Sequence, residues 1–445
     1  MAGAADRSEV LAAIERSRAW LSARVARFGL PGVSIAVVHD QDLVWVEAFG
    51  EARPAALYRI GSITKALTAT ALLRLRDAGK LSLDDPLDRY LPWFRPAGAG
   101  RPITLRHVLT HTSGLPREAP FPYWSDFGFP TAEALRTAVA EVSPVHRPDW
   151  RWKYSNLAFA LAGLAIEAVT GRSYTHHLKE AVLAPLGMAA AVAPEADLDG
   201  LAVGHGRQIG GAPRRPRPHS DLRALASAGG LAATAADLAR FVMLQFRDPP
   251  PGADVLCGDS LREMRRMHRL DDDWQAGWGL GFRLWRAGGR TWAGHAGLIA
   301  GFAGDLRFQP EARLGIVVLV NAEDGLPGEI AHRLGQWLLP PLAAVPPAVA
   351  APDADLARYV GRYRDEWMDL EVLCDQTGLY AMTPQWLDPT SSIVRLEPDG
   401  PHAFRMRTAD GFGYADERMT FDLDGAGTVL ALRIGGNPLG RIERW

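Results

Sequence analysis

The hydrophobic pattern of this 445-residue chain changes at one segment, Leu338–Asp355, and this change limits the folds that the chain can adopt. The segment consists almost entirely of Pro, Ala, Val and Leu without a period, which is typical of a linker. Helical and strand-like patterns alternate before it, whereas short strand-like stretches separated by Gly and Asp turns follow it. A single core rarely holds so long a chain. The sequence therefore predicts two domains, 1–340 and 356–445, joined by a linker at 341–355.

Composition argues against several classes of protein. With 47% apolar and 22% charged residues, the chain is globular, and its net charge of −2 suggests neither a nucleic acid nor a membrane as partner. The two cysteines, Cys257 and Cys374, are far apart, so we expect no disulfide framework, metal site or cofactor. No long apolar run is present, and Met1–Val10 lacks the apolar segment of a secretory signal. We therefore expect a cytoplasmic protein, unless an export signal has been removed.

Apolar periodicity in the first domain predicts both helices and antiparallel hairpins. The period of the apolar residues distinguishes the two, since a helix repeats every three to four residues and a strand alternates. The predicted elements are the helices Ser8–Arg27, Leu157–Val169 and Asp237–Phe246 and the strands Val33–Val38, Leu43–Glu47, Phe302–Phe308 and Leu314–Val320.

A helix that begins near Ser62 carries a candidate nucleophile. Gly61 supplies a flexible entry, and Lys65 follows Ser62 by three residues, so the two side chains share one helix face. A serine needs an adjacent base to act as a nucleophile, and a desolvated lysine can supply one. The free backbone N–H groups at a helix N-terminus would stabilise negative charge that develops there.

The rarity of lysine strengthens this interpretation. Of 49 basic residues only four are lysines, namely Lys65, Lys80, Lys153 and Lys179. Arginine cannot lose its proton in a protein, whereas lysine can. A lysine kept beside Ser62 in an arginine-rich chain is therefore consistent with a base. From this stretch alone, an exposed helical lysine beside an N-cap serine remains an open alternative.

A second candidate pair, Tyr154 and Asn156, stands at the start of the helix predicted at Leu157–Val169. Asparagine occurs only three times in the chain, so the Tyr-x-Asn pattern is rarely met by chance. A phenol beside a Ser/Lys pair can transfer a proton to a leaving group. An amide can both hold a lysine and bind a substrate carbonyl.

An aromatic segment, Phe121–Phe129, contains five aromatic residues in nine, interrupted by Pro and Gly. This composition argues against a regular strand or helix. The side chains could fill the core, or they could form the wall of an apolar binding cleft. The sequence leaves both interpretations open.

Three motifs appear in an order that resembles the serine β-lactamase and penicillin-binding-protein-like superfamily, and specifically its class C and esterase-like branch. They are Ser62-Ile63-Thr64-Lys65, Tyr154-Ser155-Asn156 and His295-Ala296-Gly297. Further stretches resemble the family at His111–Pro116, at Pro185–Met188, and at Gly229-Gly230 before Thr234 and Asp237. The resemblance implies an α/β fold in which helices flank an antiparallel sheet beside an α-helical region. The segment that opens at Tyr359–Tyr363 resembles a lipocalin-like β-domain, which implies a small all-β barrel.

The resemblance also implies an acyl-enzyme mechanism. Ser62 would attack a carbonyl carbon while Lys65 and Tyr154 take and relay its proton. Whether the base is a neutral Lys65 or a Tyr154 phenolate stays open. The backbone N–H groups of Ser62 and Leu298 would form the oxyanion hole. The residues implied in substrate binding are Asn156, which would also orient Lys65, together with His295 and Gly297.

The third motif departs from the Lys-Thr-Gly of the family's β-lactamases, because this chain has His295 in place of the lysine. A histidine with an unperturbed pKa of about 6.5 is mostly neutral at slightly alkaline pH, so the contact of an ammonium with a substrate carboxylate would be missing. Relatives with histidine there resemble esterases, D-amino-acid peptidases or amidases, and acyltransferases.

The sequence therefore predicts a serine hydrolase of small esters, amides or peptides that forms an acyl-Ser62 intermediate. A carboxylesterase or a D-amino-acid peptidase or amidase is the leading interpretation, and a β-lactamase or an acyltransferase is the alternative. A sensor of β-lactams or peptides that never turns over is disfavoured, because such sensors carry a membrane anchor. The oligomeric state is not predicted.

Overall fold

The chain divides into two compact units, Met1–Val345 and Pro346–Trp445. The structure, a computed structural model, describes residues 4–98, 100–139, 142–192, 200–343, 354–375, 378–384, 393–408 and 414–443. Within these residues, none of the helices has the length and apolar character needed to span a bilayer.

The helices of the first unit surround its sheet. Their bounds are α1 Ala4–Phe28, α2 Thr64–Asp77, α3 Leu105–Leu109, α4 Tyr123–Asp126, α5 Ala132–Val139, α6 Asn156–Thr170, α7 Tyr174–Leu178, α8 Ala226–Gly229, α9 Ala235–Leu244, α10 Gly258–Met264 and α11 Pro327–Ala343. A 3₁₀-helical turn, Gly61–Ile63, leads directly into α2.

An antiparallel sheet of eight strands forms the centre of the described part of this unit, in the order β2-β1-β11-β10-β9-β8-β7-β6. Its strands are β1 Gly32–His39, β2 Asp42–Gly50, β6 Arg269–Leu270, β7 Ala276–Trp278, β8 Arg283–Ala287, β9 Arg290–Ile299, β10 Phe302–Gln309 and β11 Leu314–Val320. A smaller sheet in the order β3-β5-β4 contains β3 Tyr58–Arg59, β4 Ala191–Val192 and β5 Leu231–Ala233. The predicted hairpins β1–β2 and β10–β11 are both present.

The central strands β1 and β11 are buried on both faces, and their alternate residues contribute to different cores. On β1, Val33, Ile35 and Val37 join the core with α1 and α11, whereas Ala36 and Val38 face the core with α2 and α6. Helices therefore cover both faces of the sheet, and α2 is buried along almost its whole length. This arrangement confirms the predicted fold class and holds the first turn of α2 rigidly.

Two of the helix boundaries that differ from the sequence prediction have a clear physical cause. The helix predicted at Asp237–Phe246 begins two residues earlier, because Thr234 is its N-cap and forms a reciprocal capping box with Asp237. The stretch Leu338–Ala343, expected in the linker, is instead the end of α11. Composition misled the prediction, since the leucines continue the buried stripe of α11 at spacings of four: Ile330, Leu334, Leu338 and Leu342. Of the remainder of the expected linker, 344–353 lie outside the described residues, and the last two residues begin a 3₁₀ helix, Ala354–Tyr359.

The second unit is a closed antiparallel barrel of eight strands in its described part, in the order β12 to β19. Its strands are β12 Gly361–Arg364, β13 Asp369–Asp375, β14 Gly378–Met382, β15 Val394–Pro398, β16 Ala403–Arg407, β17 Arg418–Leu423, β18 Val429–Ile434 and β19 Asn437–Ile442. Pairing of β12 with β19 closes the ring and leaves no open sheet edge. The predicted small all-β barrel is confirmed, while its likeness to lipocalins stays a prediction.

Candidate active site

Two glycines allow the turn that carries Ser62 to approach strand β9 closely. Gly61 has a φ of +50°, and a Cβ there would lie 3.0 Å from the backbone of Leu298. A Cβ on Gly297 would lie 1.9 Å from the carbonyl oxygen of Ile60. Only glycine fits at either position, because the turn and the strand are in direct backbone contact. The structure thus brings the first and third motifs together.

Lys65 is fully buried and makes three short contacts. Its Nζ lies 3.0 Å from Ser62 Oγ, 2.8 Å from Asn156 Oδ1 and 2.6 Å from the carbonyl oxygen of Ala228. Burial holds the pKa of the Lys65 amine well below its usual value; the carboxylate of Glu118 opposes this shift, and Arg117 adds to it.

The two carbonyl contacts settle how a neutral Lys65 is hydrogen-bonded. Asn156 Oδ1 and the Ala228 carbonyl oxygen can only accept, so they take the two N–H groups of a neutral amine. The lone pair of Nζ is then left for the hydroxyl proton of Ser62, which lies in hydrogen-bond range.

Tyr154 contacts the other side of the same hydroxyl. Its phenol donates to Ser62 Oγ at 2.7 Å. Burial raises the pKa of Tyr154 to about 12, although the hydrogen bond with Ser62 and the charge of Arg117 act in the opposite direction. The phenol is therefore protonated at neutral pH, and it serves as a donor in the resting site.

Glu118 is a site residue that the sequence did not reveal. Its carboxylate accepts from Asn156 Nδ2 at 2.8 Å and from the Tyr123 hydroxyl at 2.6 Å. Because a carboxylate only accepts, this contact fixes the amide of Asn156 with Oδ1 towards Lys65. Glu118 lies in a loop two residues after the family-like stretch His111–Pro116 but outside the three motifs, so their spacing did not indicate it.

His111 supports the Tyr154 segment from behind. Its ring stacks on Tyr154 with centroids 4.3 Å apart, and its Nδ1 accepts the backbone N–H of Ser155 at 3.2 Å. The backbone carbonyl of His111 also accepts the N–H of Lys153 at 2.8 Å. Burial lowers the pKa of His111 well below its ordinary value, so the ring is neutral. The sequence had indicated this residue only as part of a family-like turn.

Strand β9 presents an open backbone edge next to Ser62. Pairing of β8 with β9 ends at Arg283 and Gly294, whereas pairing of β9 with β10 continues to Ile299. The segment His295–Ile299 is therefore bonded on one side only within the described strands. Leu298, the predicted oxyanion-hole residue, lies in this segment beside the Ser62 turn.

His295 lies beside this site and is neutral, as the sequence analysis expected, but its pKa differs from the unperturbed value assumed there. Nδ1 is 2.7 Å from the carbonyl oxygen of Ala296 and must donate to it, while Nε2 is buried without a partner in the described part of the chain. Burial lowers the pKa of His295 to about 3, and the charge of Lys65 acts in the same direction. The assumed pKa near 6.5 was therefore wrong, and the imidazole is neutral throughout the physiological range.

The site opens into a cleft of about 1000 Å³ that contains Ser62. Aromatic residues form much of its wall, including Trp152 and Trp278, which stack 5.2 Å apart. The segment Phe121–Phe129 serves both of its possible roles, since some of its rings are buried in the core and others line the cleft. Tyr123 and Phe129 are buried, and Trp124 and Phe127 line the cleft. Contrary to expectation, the segment includes one helical turn, α4.

The geometry brings together a serine hydroxyl, a lysine amine in contact with it and a phenolic proton donor, all at the base of one cleft. In the described residues, no group of three His, Cys, Asp or Glu side chains is placed to hold a metal ion.

Comparison with known proteins identifies the family. A model of the β-lactamase family matches residues 18–339. The chain belongs to the β-lactamase family. It is thus a β-lactamase-like serine hydrolase, as the three motifs predicted, and the family match runs from within α1 to within α11 and includes the whole large sheet.

Individual members of the family are similar to this chain over most of its length. Penicillin-binding protein 4 of Amycolatopsis lactamdurans is 31% identical over 362 residues, which are 76% of this chain and 94% of that protein. The octameric penicillin-binding protein homologue of Pyrococcus abyssi has a TM-score of 0.65 and 26% identity, and covers 96% of this chain and 99% of its own. A D-stereospecific amidohydrolase of Streptomyces sp. has a TM-score of 0.61 and 28% identity, with coverages of 69% and 94%.

Proposed function

We propose that this β-lactamase family member hydrolyses small esters or amides through an acyl-Ser62 intermediate, with Lys65 as the base. The observation that carries this proposal is the buried amine of Lys65. Two acceptor oxygens take both of its N–H groups and leave its lone pair for the proton of Ser62.

A neutral Lys65 is a better base than a Tyr154 phenolate at this site. Burial favours the uncharged form of both groups. For an amine the uncharged form is the base, whereas for a phenol it is the acid. The same environment therefore assigns proton acceptance to Lys65 and proton donation to Tyr154.

The reaction follows from these assignments. Ser62 Oγ attacks the carbonyl carbon as its proton passes to Lys65 Nζ, and the backbone N–H groups of Ser62 and Leu298 hold the oxyanion. Tyr154 then gives its phenolic proton to the leaving group as the bond to the acyl carbon breaks, and the proton on Lys65 replaces it. Water attacks the acyl-enzyme in the second half and releases the acid.

Because His295 is neutral, we favour esters and amides over β-lactams as the substrates of this protein. It offers no cation beside the oxyanion strand, and Nε2 is buried, so the contact that a lysine makes with the β-lactam carboxylate is missing. Similarity to a D-stereospecific amidohydrolase supports the amide branch. Similarity to a penicillin-binding protein keeps β-lactam or peptide turnover as the second candidate, and acyl transfer would need the same three side chains.

Steady-state turnover of three substrate classes tests the proposal. We expect easy hydrolysis of short-chain aryl esters, measurable hydrolysis of D-amino-acid anilides, and poor hydrolysis of penicillins and cephalosporins. The His295→Lys variant should raise β-lactam turnover, because it restores the missing ammonium. β-Lactam turnover above that of the esters in the unmodified protein would contradict this ranking.

A further inference from the structure

We propose that Glu118 is a positioning residue for the catalytic base, because it holds the Asn156 amide in the one orientation that leaves the lone pair of Lys65 for Ser62. This inference rests on the proposed function, since it concerns the base of the same reaction. It gives a role to a carboxylate that forms no hydrogen bond with the nucleophile or the base in the described part of the chain.

The availability of the Lys65 lone pair depends on which way the Asn156 amide is turned. Asn156 Oδ1 and the carbonyl oxygen of Ala228 lie 2.8 and 2.6 Å from Nζ, so a neutral amine donates to both and directs its lone pair at Ser62. The oxygen and nitrogen of an amide are close in shape, and a half-turn of the last side-chain torsion exchanges them. In the turned amide, Nδ2 would donate to Nζ and compete with the proton of Ser62 for the single lone pair of the amine.

Glu118 determines which orientation the amide adopts. Its Oε1 accepts from Asn156 Nδ2 at 2.8 Å, and a carboxylate oxygen can only accept. In the turned amide, Oδ1 would face this carboxylate, so two acceptors would meet in a buried site without a proton between them. The backbone N–H of Asn156 also donates to the carbonyl oxygen of Arg117 at 2.7 Å, which joins the start of α6 to the residue before Glu118. The observed orientation is therefore the one that these contacts favour.

The carboxylate of Glu118 is itself held by a buried tyrosine. Its Oε2 accepts from the Tyr123 hydroxyl at 2.6 Å, and that hydroxyl accepts the backbone N–H of Ala119 at 3.2 Å. The Tyr123 ring is fully buried and stacks on Phe129 with centroids 4.9 Å apart. Glu118 is thus fixed to the core on one side and to Asn156 on the other.

Glu118 also acts on Lys65 through its charge. Burial lowers the pKa of the Lys65 amine, the carboxylate of Glu118 opposes this shift, and Arg117 adds to it. The other ionisable side chains packed around the amine are uncharged near neutral pH, and they are Tyr154, His111 and His295. The two charged neighbours therefore have opposite effects: removal of Glu118 should lower the pKa of Lys65, and removal of Arg117 should raise it.

Removal of the carboxylate is the first test of the proposal. Glu118→Gln supplies a side-chain amide that can bond to Asn156 in either orientation. We expect kcat/KM for p-nitrophenyl butyrate, per folded protein, to fall about 10- to 100-fold, mainly through kcat. Tyr123→Phe keeps the buried ring and removes only the hydroxyl that holds Glu118, so a smaller fall is expected. Glu133→Gln, at an exposed position on α5, is the control and should keep normal turnover.

The same substitution should have the opposite effect when residue 156 carries a carboxylate. Asn156→Asp has no amide to turn, but it places two carboxylates in contact at the position of the present hydrogen bond. In this background Glu118→Gln replaces a repelling group with an amide that can donate. We therefore expect kcat/KM to rise about tenfold at alkaline pH, where both carboxylates are charged. A role in folding alone would not reverse the sign of the effect.

The pH dependence of kcat/KM separates an action on the base from a loss of fold. Its acid limb reports the group of the free enzyme that must lose a proton, which is Lys65 in this mechanism. The acid limb should move to lower pH in Glu118→Gln and to higher pH in Arg117→Gln, and it should stay in place in Glu133→Gln. The pH of half-maximal kcat/KM does not depend on the amount of folded protein.

An acid limb that does not move in Glu118→Gln would overturn the proposal, and so would a fall of kcat/KM in the Asn156→Asp background. If Glu118→Gln does not fold, Tyr123→Phe provides the test, and a normal kcat in that variant would overturn the proposal. Failure of the proposed function is a different outcome, in which the unmodified protein does not hydrolyse the aryl ester.

Discussion

At the scale of single residues, the site is governed by burial more than by pairing of charges. Lys65, Tyr154 and His295 are all shifted towards their neutral forms, and desolvation is the largest cause for each pKa. An environment that favours the uncharged form of every group leaves a lysine amine that can accept a proton and a tyrosine phenol that can donate one. The same environment removes the cation that a histidine could have offered.

Replacing Lys65 with arginine tests whether Lys65 acts as a base or only as a fixed positive charge. Lys65→Arg keeps a basic side chain of similar length, but it replaces an amine that can accept a proton with a guanidinium that stays charged. We expect kcat to fall by about 100- to 10,000-fold, the usual contribution of a general base. Ester turnover measures the effect, circular dichroism confirms the fold, and Lys80→Arg, a change of an exposed lysine, is the matched control. Turnover close to normal in folded Lys65→Arg would limit Lys65 to an electrostatic role.

The buried histidines predict how stability responds to acid. His295 has its pKa lowered to about 3 in the folded protein, whereas in the unfolded chain it binds a proton below about 6.5. Between these values the unfolded state binds more protons, so the free energy of unfolding falls as pH falls, by about 1.4 kcal/mol per pH unit. His295→Gln should reduce this slope in urea titrations, and His332→Gln, at an exposed position on α11, should not. Equal slopes in all three proteins would contradict the buried neutral state.

The sequence predicted the chemical side chains but not their surroundings. Ser62, Lys65 and Tyr154 could be found because lysine and asparagine are rare here and the motifs stand in a recognisable order. Glu118 could not, because only the folded loop brings its carboxylate to Asn156 and Tyr123. The pKa of His295 could not be predicted from the sequence either, since it depends on burial that only the folded sheet creates.

At the scale of elements, the site depends on contact between the turn Gly61–Ile63 and strand β9. The prediction of hairpins and of a buried helix after Ser62 was confirmed, because period and apolar content determine such elements. The end of α11 was mistaken for a linker because of its Pro, Ala, Val and Leu composition, although the buried leucine stripe continues there. Packing of the leucine stripe therefore keeps this segment helical in spite of its composition.

A methyl group at Gly297 would test that contact. Gly297→Ala places a Cβ 1.9 Å from the Ile60 carbonyl oxygen, so β9 and the Ser62 turn must separate. A displacement of about 1 Å at a reacting centre can cost roughly 100-fold in rate. We expect a loss of that order in kcat/KM for an aryl ester. Gly425→Ala, at a position where a Cβ meets nothing within 4 Å, is the control. Full activity of Gly297→Ala would show that the contact is not needed.

At the scale of the whole molecule, each unit has its own core. The cores of the first unit comprise residues from Ala13 to Leu342, and that of the barrel comprises residues from Tyr359 to Leu439. All residues that line the catalytic cleft belong to the first unit. The family match, 18–339, also falls within it.

A chain that ends at Val345 should therefore fold by itself. We expect a single cooperative thermal transition by circular dichroism, and turnover of short-chain aryl esters within about tenfold of the full chain. A mixture of the separately produced units is the control for effects of the barrel in trans. A truncated chain that lacks a cooperative transition would show that the first unit depends on the barrel for stability.

The central claim, an acyl-enzyme on Ser62 formed with Lys65 as base, is tested most directly by trapping the intermediate. The protein is mixed with an excess of a slowly deacylated aryl ester, quenched in acid and digested with trypsin, which releases the peptide Ile60–Lys65. Mass spectrometry should then show one acyl group, located on Ser62, in the unmodified protein and none in Ser62→Ala. The acyl group on Ser62 should form far more slowly in Lys65→Arg. An acyl group on another residue, or turnover by Ser62→Ala at the normal rate, would contradict the account.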